Sequence, residues 1–442
     1  MDKNNIIGFA LIAAVLIGFG IWNQPSAEEQ AAAMRQDSIE NVARQNAENA
    51  AKLAAQQKIA QAKAAAEADT TALFHAALKG NTTNVVLKNK DVELTINSKG
   101  GVVAKAVIKN FEDRNGNKDV TLFDSSTQSL NFALAAKNVN INTADLYFTP
   151  SNQTDSTVTM TAEAGAGKAL VINYVLDKDY ILHTKMQAIG LANDFAPSTT
   201  QMDVQWKDLA RQQERGFTFE NRYASLTYHK TDGGTDYLSE AKNVKDETVE
   251  KKIDWVAFKN QFFSAVMIAK SDFAENSQMT SIPQEKGSGY LKQYEAKMKT
   301  FFDPSGKTPS EFDFYFGPND FRLLKRVEKE CQFNKDLEMQ RLVYLGWPLF
   351  RIINRWFTIY VFDFLTGLNI NMGIVLILIT LLLKLITYPM VKKSYMSSAK
   401  MRVLKPKLEE ATKHLNKPED QMQKQQAMMA EYSKYGVSPL SG

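Results

Sequence analysis

An apolar stretch from Met372 to Val391 constrains this chain more than any other feature of its sequence. A helix of ~20 residues at ~1.5 Å per residue is long enough to cross the ~30 Å hydrocarbon core of a bilayer. A lysine, Lys384, lies inside the stretch, and basic residues follow it closely: Lys392, Lys393, Lys400, Arg402, Lys405 and Lys407. Because basic residues just beyond a span stay on the cytoplasmic side, we predict a transmembrane helix over residues 371–391 that ends in the cytoplasm.

A second apolar run, Ile6 to Ile21, lies near the N-terminus and is followed by Trp22. The apolar core of a cleaved signal peptide spans ~7–15 residues and precedes a small-residue cleavage site, and this run is slightly longer. A tryptophan at the end of an apolar run is typical of the membrane interface. We favour an uncleaved transmembrane anchor over residues 1–25, with a cleaved signal peptide as the alternative. Two spans place the N-terminus in the cytoplasm and residues 23–370 outside.

Residues 26–80 are rich in Ala, Gln, Lys and Glu, which predicts a solvated helical spacer, with plain disorder as the alternative. The single cysteine, Cys331, excludes a disulfide framework within the chain. The net charge of +4 is too small to indicate a nucleic-acid-binding protein.

The region over residues 81–318 contains short alternating or β-branched runs separated by turn signals. The runs include residues 85–87, 92–96, 102–103, 120–123, 158–161 and 170–175. The turn signals are Gly100-Gly101, Asn115-Gly116-Asn117, Gly165-Ala166-Gly167 and Asp232-Gly233-Gly234. Many short strands with turns between them predict one large all-β sandwich, which at this size can bury its own core.

Residues 319–370 are predicted to form connecting and amphipathic helices. Residues 319–345 suit a helix with Leu323, Leu324 and Val327 on one face. Behind Pro348, which suits the first turn of a helix, apolar and aromatic residues recur at helical spacing: Leu349, Ile352, Ile353, Trp356, Phe357, Tyr360 and Phe364. Arginines lie opposite them, a pattern typical of a helix in the membrane interface. The alternative is a surface helix that packs on the β domain.

Residues 392–442 are predicted to form a charged cytoplasmic hairpin, with helices over 392–415 and 419–435. Apolar residues of the first helix follow a/d-like spacing: Leu404, Leu408, Ala411 and Leu415. We expect Met422, Met429 and Tyr432 of the second helix to face them.

The sequence predicts no catalytic residues, no metal site and no cofactor. The four histidines are scattered and none has a ligand spacing. The protein is therefore not expected to be an enzyme.

Lys384 is the candidate functional residue. A charge at the centre of a span costs ~2.5–3.5 kcal/mol on insertion scales. Thr380, Lys384 and Thr387 are spaced at i, i+4 and i+7, so they share one helical face. Such a polar stripe should face protein or water rather than lipid. Snorkelling of the lysine stem to the interface, or a structural partner, is the alternative.

Several segments resemble the YidC-type (YidC/Oxa/Alb) membrane protein insertases. They are residues 379–390, Ser397-Ser398-Ala399-Lys400-Met401, Leu404-Lys405-Pro406-Lys407, Asn371-Met372-Gly373 and residues 435–442. The external β domain resembles, mostly in architecture, the periplasmic domain of bacterial members, a β-supersandwich like that of galactose mutarotases. The resemblance implies a mixed, multi-pass protein of the bacterial inner membrane, with a cytoplasmic N-terminus and a large periplasmic domain.

The resemblance also implies a function as insertase and chaperone, which inserts and folds inner-membrane proteins without ATP, with or without the Sec translocon. A polar intramembrane groove receives the client, and a cationic residue in that groove matches Lys384 by position. The family usually has arginine there, whereas lysine keeps the charge but loses bidentate recognition. The implied partners are nascent membrane proteins, the Sec translocon, membrane lipids and, as a further candidate, the ribosome, without direct contact to nucleic acid.

Five methionines of the cytoplasmic hairpin form a flexible apolar surface that suits varied clients or partners: Met396, Met401, Met422, Met428 and Met429. Packing within the hairpin is the alternative. Family members continue with further spans that complete the groove, so we expect either the front part of a longer protein or a truncated product with little insertase activity. Two competing hypotheses remain, a membrane-anchored carbohydrate-binding or carbohydrate-processing protein and an envelope scaffold.

Overall fold

The computed structural model describes residues 72–238, 243–331, 333, 335–346, 348–412 and 421–435. The predicted anchor over residues 1–25 and most of the predicted spacer lie outside the described residues. The chain divides into two compact units, Met1–Val343 and Tyr344–Gly442, which are described separately.

A four-stranded antiparallel sheet opens the first unit, in the order β1-β2-β3-β4. Its strands are β1 (Asn84–Lys88), β2 (Val92–Asn97), β3 (Val103–Ile108) and β4 (Val120–Phe123). Every second residue of β2 is buried, as the sequence alternation predicts. The turn between β2 and β3 contains Gly101 at φ +66°, where a Cβ would lie 2.8 Å from the Phe148 ring. Glycine is therefore required for both the backbone angle and the close approach.

The second sheet has fifteen strands. They are β5 (Gln128–Ala135), β6 (Asn140–Asn142), β7 (Thr149–Ser151), β8 (Thr157–Gly165), β9 (Lys168–Leu176), β10 (Ile181–Ile189), β11 (Gln201–Arg211), β12 (Ser225–Lys230), β13 (Thr235–Leu238), β14 (Lys245–Val249), β15 (Ile253–Lys259), β16 (Phe263–Phe273), β17 (Ser277–Pro283), β18 (Tyr290–Phe301) and β19 (Ser310–Pro318). Its main path runs β6-β5-β11-β18-β16-β19-β10-β9-β8-β7, and β12, β13, β14, β15 and β17 pair outside that path. The prediction of a large all-β domain is confirmed.

One hydrophobic core joins the two sheets. Phe123 of β4 packs edge-on against Phe316 of β19, with ring centroids 5.4 Å apart. Deeper in the large sheet, Trp206 stacks on Phe258 at 4.0 Å. Because each aromatic side chain buries ~150–250 Å², these contacts supply much of the apolar burial that holds the sheets together.

Two helices belong to this unit, α1 (Phe217–Tyr223) and α2 (Phe321–Glu330). Leu323, Leu324 and Val327 are buried, as predicted for the inner face of α2. The predicted continuation of this helix to residue 345 is wrong. Cys331 has an extended backbone conformation that ends the helix, and a 3₁₀ turn follows at Met339–Leu342. The Glu328 carboxylate accepts the N–H groups of Leu337 and Glu338, so tertiary contacts fold this segment back onto the sheet.

The second unit is helical throughout its described part. Helix α3 (Pro348–Ile353), a π-helical turn (Asn354–Thr358) and α4 (Ile359–Thr366) form the predicted amphipathic segment. Helix α5 (Met372–Thr412) then continues without a break through Pro389 and Pro406. The predicted span and the first hairpin helix are thus one helix, and α6 (Gln421–Lys434) follows. Among the described residues, α5 is the helix long and apolar enough to cross a membrane.

Candidate functional site

The predicted polar stripe lies on the side of α5 that does not pack within the second unit. Val375 and Ile379 are the buried residues of the apolar part of this helix, and α4 contacts α5. At ~100° of rotation per residue, Thr380, Lys384 and Thr387 lie ~100–160° around the helix from that buried pair. The stripe is therefore presented to the outside.

The two threonine hydroxyls of the stripe are already hydrogen-bonded. Thr380 Oγ1 donates to the Leu376 carbonyl at 2.8 Å, and Thr387 Oγ1 donates to the Leu383 carbonyl at 2.8 Å. Each hydroxyl thus uses its proton one turn back in its own helix. The threonines therefore keep only acceptor lone pairs for a partner.

Lys384 is the group of the stripe that can still donate to a partner. Its side chain is exposed, and the part of the chain that the structure describes offers it no ion-pair partner. Its neighbours Leu381, Leu385 and Ile386 are also exposed. An ammonium group surrounded by bare apolar side chains needs either water or an anionic partner when the helix is in a bilayer.

The amphipathic segment before α5 exposes a row of aromatic rings. Trp356, Tyr360 and Phe364 follow at intervals of four residues, and all three side chains are largely exposed. The Arg355 guanidinium lies 6.0 Å from the Trp356 ring centroid. An exposed aromatic row beside an arginine fits the predicted interfacial helix, whose place in a membrane stays a prediction.

The five hairpin methionines fall into two groups. Met401 and Met428 pack with Tyr432 against the buried Leu404 and Leu408. The expectation that Tyr432 faces these leucines is confirmed. The same expectation for Met422 and Met429 is wrong, since Met428, four residues before Tyr432, occupies that side of α6. Met396, Met422 and Met429 are exposed, so they are the three that a client or partner can reach. Leu415 lies outside the described residues.

Sequence reasoning missed a buried polar attachment in the first unit. We call residues 335–342 the strap, since they run alongside β15. Trp255 Nε1 donates to the Leu337 carbonyl at 2.7 Å, and Lys259 Nζ donates to the Leu342 carbonyl at 3.2 Å. Burial lowers the pKa of Lys259 to about 8. No local sequence pattern predicts these contacts, because they join residues more than 80 positions apart.

A second buried polar group lies beneath α1. Glu220 accepts the backbone N–H groups of Gln213 and Glu214 at 3.0 Å. Burial raises the pKa of Glu220 to about 7, and burial raises that of Asp208 on β11 to about 8. Both carboxyl groups serve the packing of the domain rather than an accessible site, since each side chain is almost entirely buried.

The β domain also contains an open cleft of about 670 Å³. Its lining is mostly polar: Asn131, Ala133, Asn142, Asp203, Val204, Gln205, Glu275, Asn276, Ser277, Gln278, Lys297, Met298 and Lys299. Several of these groups satisfy each other, such as Asn131 with Asn142 at 3.1 Å and Lys299 with Asp203 at 3.8 Å. The lining contains no aromatic ring on which a sugar could stack. In the described ranges, no group of three or more His, Cys, Asp or Glu residues is placed to hold a metal ion.

Two family models match this chain. Residues 84–360 match the family model of the YidC periplasmic domain, and residues 364–442 match that of the 60Kd inner membrane protein. The membrane protein insertase YidC of Phocaeicola vulgatus is 48% identical over the whole of this chain, which covers 70% of its length. The chain belongs to the YidC family of membrane protein insertases. The YidC insertase of Bacteroides fragilis is 44% identical over the whole chain and 71% of its own length.

Solved structures are more distant. The crystal structure of YidC from Thermotoga maritima covers 75% of this chain and 79% of its own, at 11% identity and a TM-score of 0.28. A galactose mutarotase-like protein from Lactobacillus casei covers 53% of this chain and all of its own, at 10% identity and a TM-score of 0.34. Scores this low establish no shared fold, so the membership in the YidC family rests on the sequence matches, and the likeness to mutarotases stays a prediction.

Proposed function

We propose that this YidC-family protein inserts its clients by offering the Lys384 face of α5 to their hydrophilic segments. The observation that supports this most is the position of Lys384. It lies within the apolar part of the helix, on the side away from the buried Val375 and Ile379, and it is exposed. A client carboxylate is the natural counter-ion for an ammonium group in that place.

The energies favour a transient charge contact. The insertion cost of ~2.5–3.5 kcal/mol for a central cation is similar to the ~4 kcal/mol that two unit charges gain at 4 Å with an effective dielectric constant of ~20. An incoming carboxylate therefore offsets much of the cost of Lys384, and Lys384 offsets part of the cost of the carboxylate. Because the attraction is also similar to the ~2.5–3.5 kcal/mol cost of the client carboxylate itself, the contact is weak and the client can leave again.

The rest of the chain supports the same role. In the proposed topology the N-terminus is cytoplasmic, the β domain is periplasmic, and the aromatic row Trp356, Tyr360 and Phe364 lies in the outer interface. The exposed Met396, Met422 and Met429 then reach nascent chains or the ribosome on the cytoplasmic side, and the Sec translocon and lipids are further partners. No step of this mechanism makes or breaks a covalent bond.

Site-specific crosslinking from α5 tests which face meets the client. A photocrosslinker at Thr380 lies on the proposed face, whereas one at Leu378 lies ~160° away around the helix. In the complete protein, with a stalled nascent membrane protein, we expect crosslinks to the client from position 380 and several-fold fewer from position 378. Equal labelling from both positions, or labelling of lipid alone from position 380, would contradict the proposal.

A further inference from the structure

The strap determines where the chain leaves the β domain. Lys259 is the last residue of β15, and its ammonium group holds the Leu342 carbonyl at 3.2 Å in a buried contact. Four residues, 344–347, separate Val343 from Pro348, the first residue of α3. At ~3.3–3.6 Å per residue, this connection spans at most ~18 Å. We call this part of the β domain, around Lys259, the exit end.

An exposed phenylalanine is held rigidly at the exit end. Phe262 lies in the turn between β15 and β16 and is 47% exposed, whereas Phe263 beside it is buried. The Asn260 carboxamide oxygen accepts the N–H groups of both phenylalanines, at 3.1 and 2.7 Å. Asn319 donates its backbone N–H to the Phe262 carbonyl at 2.6 Å. The turn is therefore fixed by hydrogen bonds while the Phe262 ring stays in contact with solvent.

Helix α1 brings a second exposed aromatic ring to the same end. Ser225, two residues after α1, pairs with Lys259 across the sheet. Phe219 of α1 is 54% exposed, and its ring meets that of Tyr223 edge-on at 5.2 Å. The helix is anchored from below by buried Glu220, which accepts N–H groups of the preceding loop. Phe219 is thus displayed by a supported helix rather than by a loose loop.

Three arginines lie on or beside α1, together with the acidic Glu214. Arg215 and Arg222 are exposed on either side of Phe219, and Arg114 donates to Gln212 in the adjoining loop. The exposed Glu112 is a nearby acidic side chain, while Asp113 accepts hydrogen bonds from Asn115 and Asn117 in its own turn. Exposed aromatic rings between guanidinium groups match the headgroup region of a bilayer, where rings enter the apolar boundary and arginines meet lipid phosphates.

We propose that the exit end of the β domain docks on the outer surface of the bilayer, with Phe219 and Phe262 inserted and Arg215 and Arg222 on anionic lipid headgroups. The proposal rests on the proposed function, because it requires α5 to span the membrane. Because the connection to α3 is short, the exit end stays close to the bilayer once α5 spans it. The individually weak lipid contacts of Phe219 and Phe262 then form at a high effective concentration. Docking would hold the β domain beside the place where client segments emerge.

Depth-dependent fluorescence quenching tests this contact in the full chain. Phe219→Cys and Phe262→Cys variants carry a polarity-sensitive fluorophore, and Thr231→Cys, which follows the opposite end of β12 from Ser225, is the matched exposed control. The native Cys331 stays unlabelled, because it is buried and burial raises the pKa of its thiol. The proteins are reconstituted in phosphatidylcholine vesicles with and without phosphatidylglycerol, and headgroup-region nitroxide lipids serve as quenchers.

We expect nitroxide lipids to quench the probes at positions 219 and 262 several-fold more than the probe at 231, and more strongly with phosphatidylglycerol present. Arg215→Gln combined with Arg222→Gln should remove the dependence on phosphatidylglycerol. Equal, weak quenching at all three positions overturns the proposal. A probe at Trp356→Cys distinguishes failure of the docking proposal from failure of the proposed membrane placement. Quenching at 356 without quenching at 219 and 262 rejects the docking proposal alone. Absence of quenching at 356 as well rejects the proposed membrane placement together with it.

Discussion

Three ionisable side chains of this protein differ in their burial and in their hydrogen-bond partners. Lys259 is buried, burial lowers its pKa to about 8, and its side chain holds the strap. Asp208 is buried on β11, and one of its carboxylate oxygens has no hydrogen-bond partner in the described part of the chain. Lys384, in contrast, is exposed on the apolar part of α5. Lys259 stabilises the attachment of the strap, and Asp208 makes the stability of the β domain depend on pH, whereas Lys384 is the residue that we propose contacts the client.

Asp208 predicts a pH dependence of stability. Burial, with the Asp124 charge adding to it and Arg211 opposing it, raises the pKa of Asp208 to about 8 from its usual 3.8. The folded domain therefore keeps a proton that the unfolded chain releases near pH 4, and its stability falls as pH rises from about 4 to about 8. The Asp208→Asn side chain does not titrate, so this loss is absent. The free energy of unfolding of the variant should therefore exceed that of the wild type over this pH range, by on the order of a few kcal/mol at pH 8.

Thermal unfolding of the full chain at several pH values, followed by near-ultraviolet circular dichroism, measures this effect. Asp203→Asn on the same strand is the control, since its side chain is exposed and its ion pair with Lys299 is long, at 3.8 Å. The control should follow the wild type at every pH. An Asp208→Asn variant whose stability runs parallel to the wild type from pH 4 to 8 would show that the buried carboxyl does not titrate as described.

At the scale of elements, two predicted helix boundaries differ from the structure. One long helix replaces two predicted helices, and another predicted helix is shorter than expected. Helix α5 runs through Pro389 and Pro406, although a proline inside a helix removes one hydrogen bond. The predicted helix over residues 319–345 ends at Glu330 instead. Strands such as β2 could be predicted, because alternation along a few residues encodes them. The strap could not, because Trp255 and Leu337 come together only in the folded domain.

The same reasoning applies to the candidate site. The shared face of Thr380, Lys384 and Thr387 follows from helical spacing alone, and the helix is there. That the threonine hydroxyls bond to their own helix is a rotamer choice that spacing does not encode. Likewise, a/d spacing indicated Leu404 and Leu408 as the hairpin core, and Tyr432 packs on them as expected. The spacing does not give the rotation of α6, which places Met428 there instead of Met422 and Met429.

The hairpin contact gives a prediction at this scale. Leu404 is buried against α6, so Leu404→Ala should cost ~2–5 kcal/mol of hairpin stability, as expected for a buried leucine. Val403 beside it is exposed, and Val403→Ala should have an effect of less than ~0.5 kcal/mol. Hydrogen–deuterium exchange of the full protein measures both changes as loss of protection in residues 421–435. Equal exchange in the two variants would mean that α6 does not pack as described.

At the scale of the molecule, the chain combines a large β domain with a helical unit whose helix α5 is long and apolar enough to cross a membrane. In the described β domain, no group of three or more His, Cys, Asp or Glu residues is placed to hold a metal ion. The strap is fixed to β15 by two hydrogen bonds, from Trp255 to Leu337 and from Lys259 to Leu342. We propose that insertion depends on the Lys384 face of α5 and on electrostatics within the bilayer.

The rate at which the complete protein inserts two matched clients tests that central claim most directly. The clients share one Sec-independent sequence and differ only in whether their translocated segment carries acidic residues or the corresponding amides. For the wild type and for Lys384→Arg, we predict that the acidic client inserts about tenfold faster, equivalent to ~1.4 kcal/mol. For Lys384→Leu, the two clients should insert at similar rates. A leucine variant that keeps the full preference for the acidic client would contradict the proposed role of Lys384.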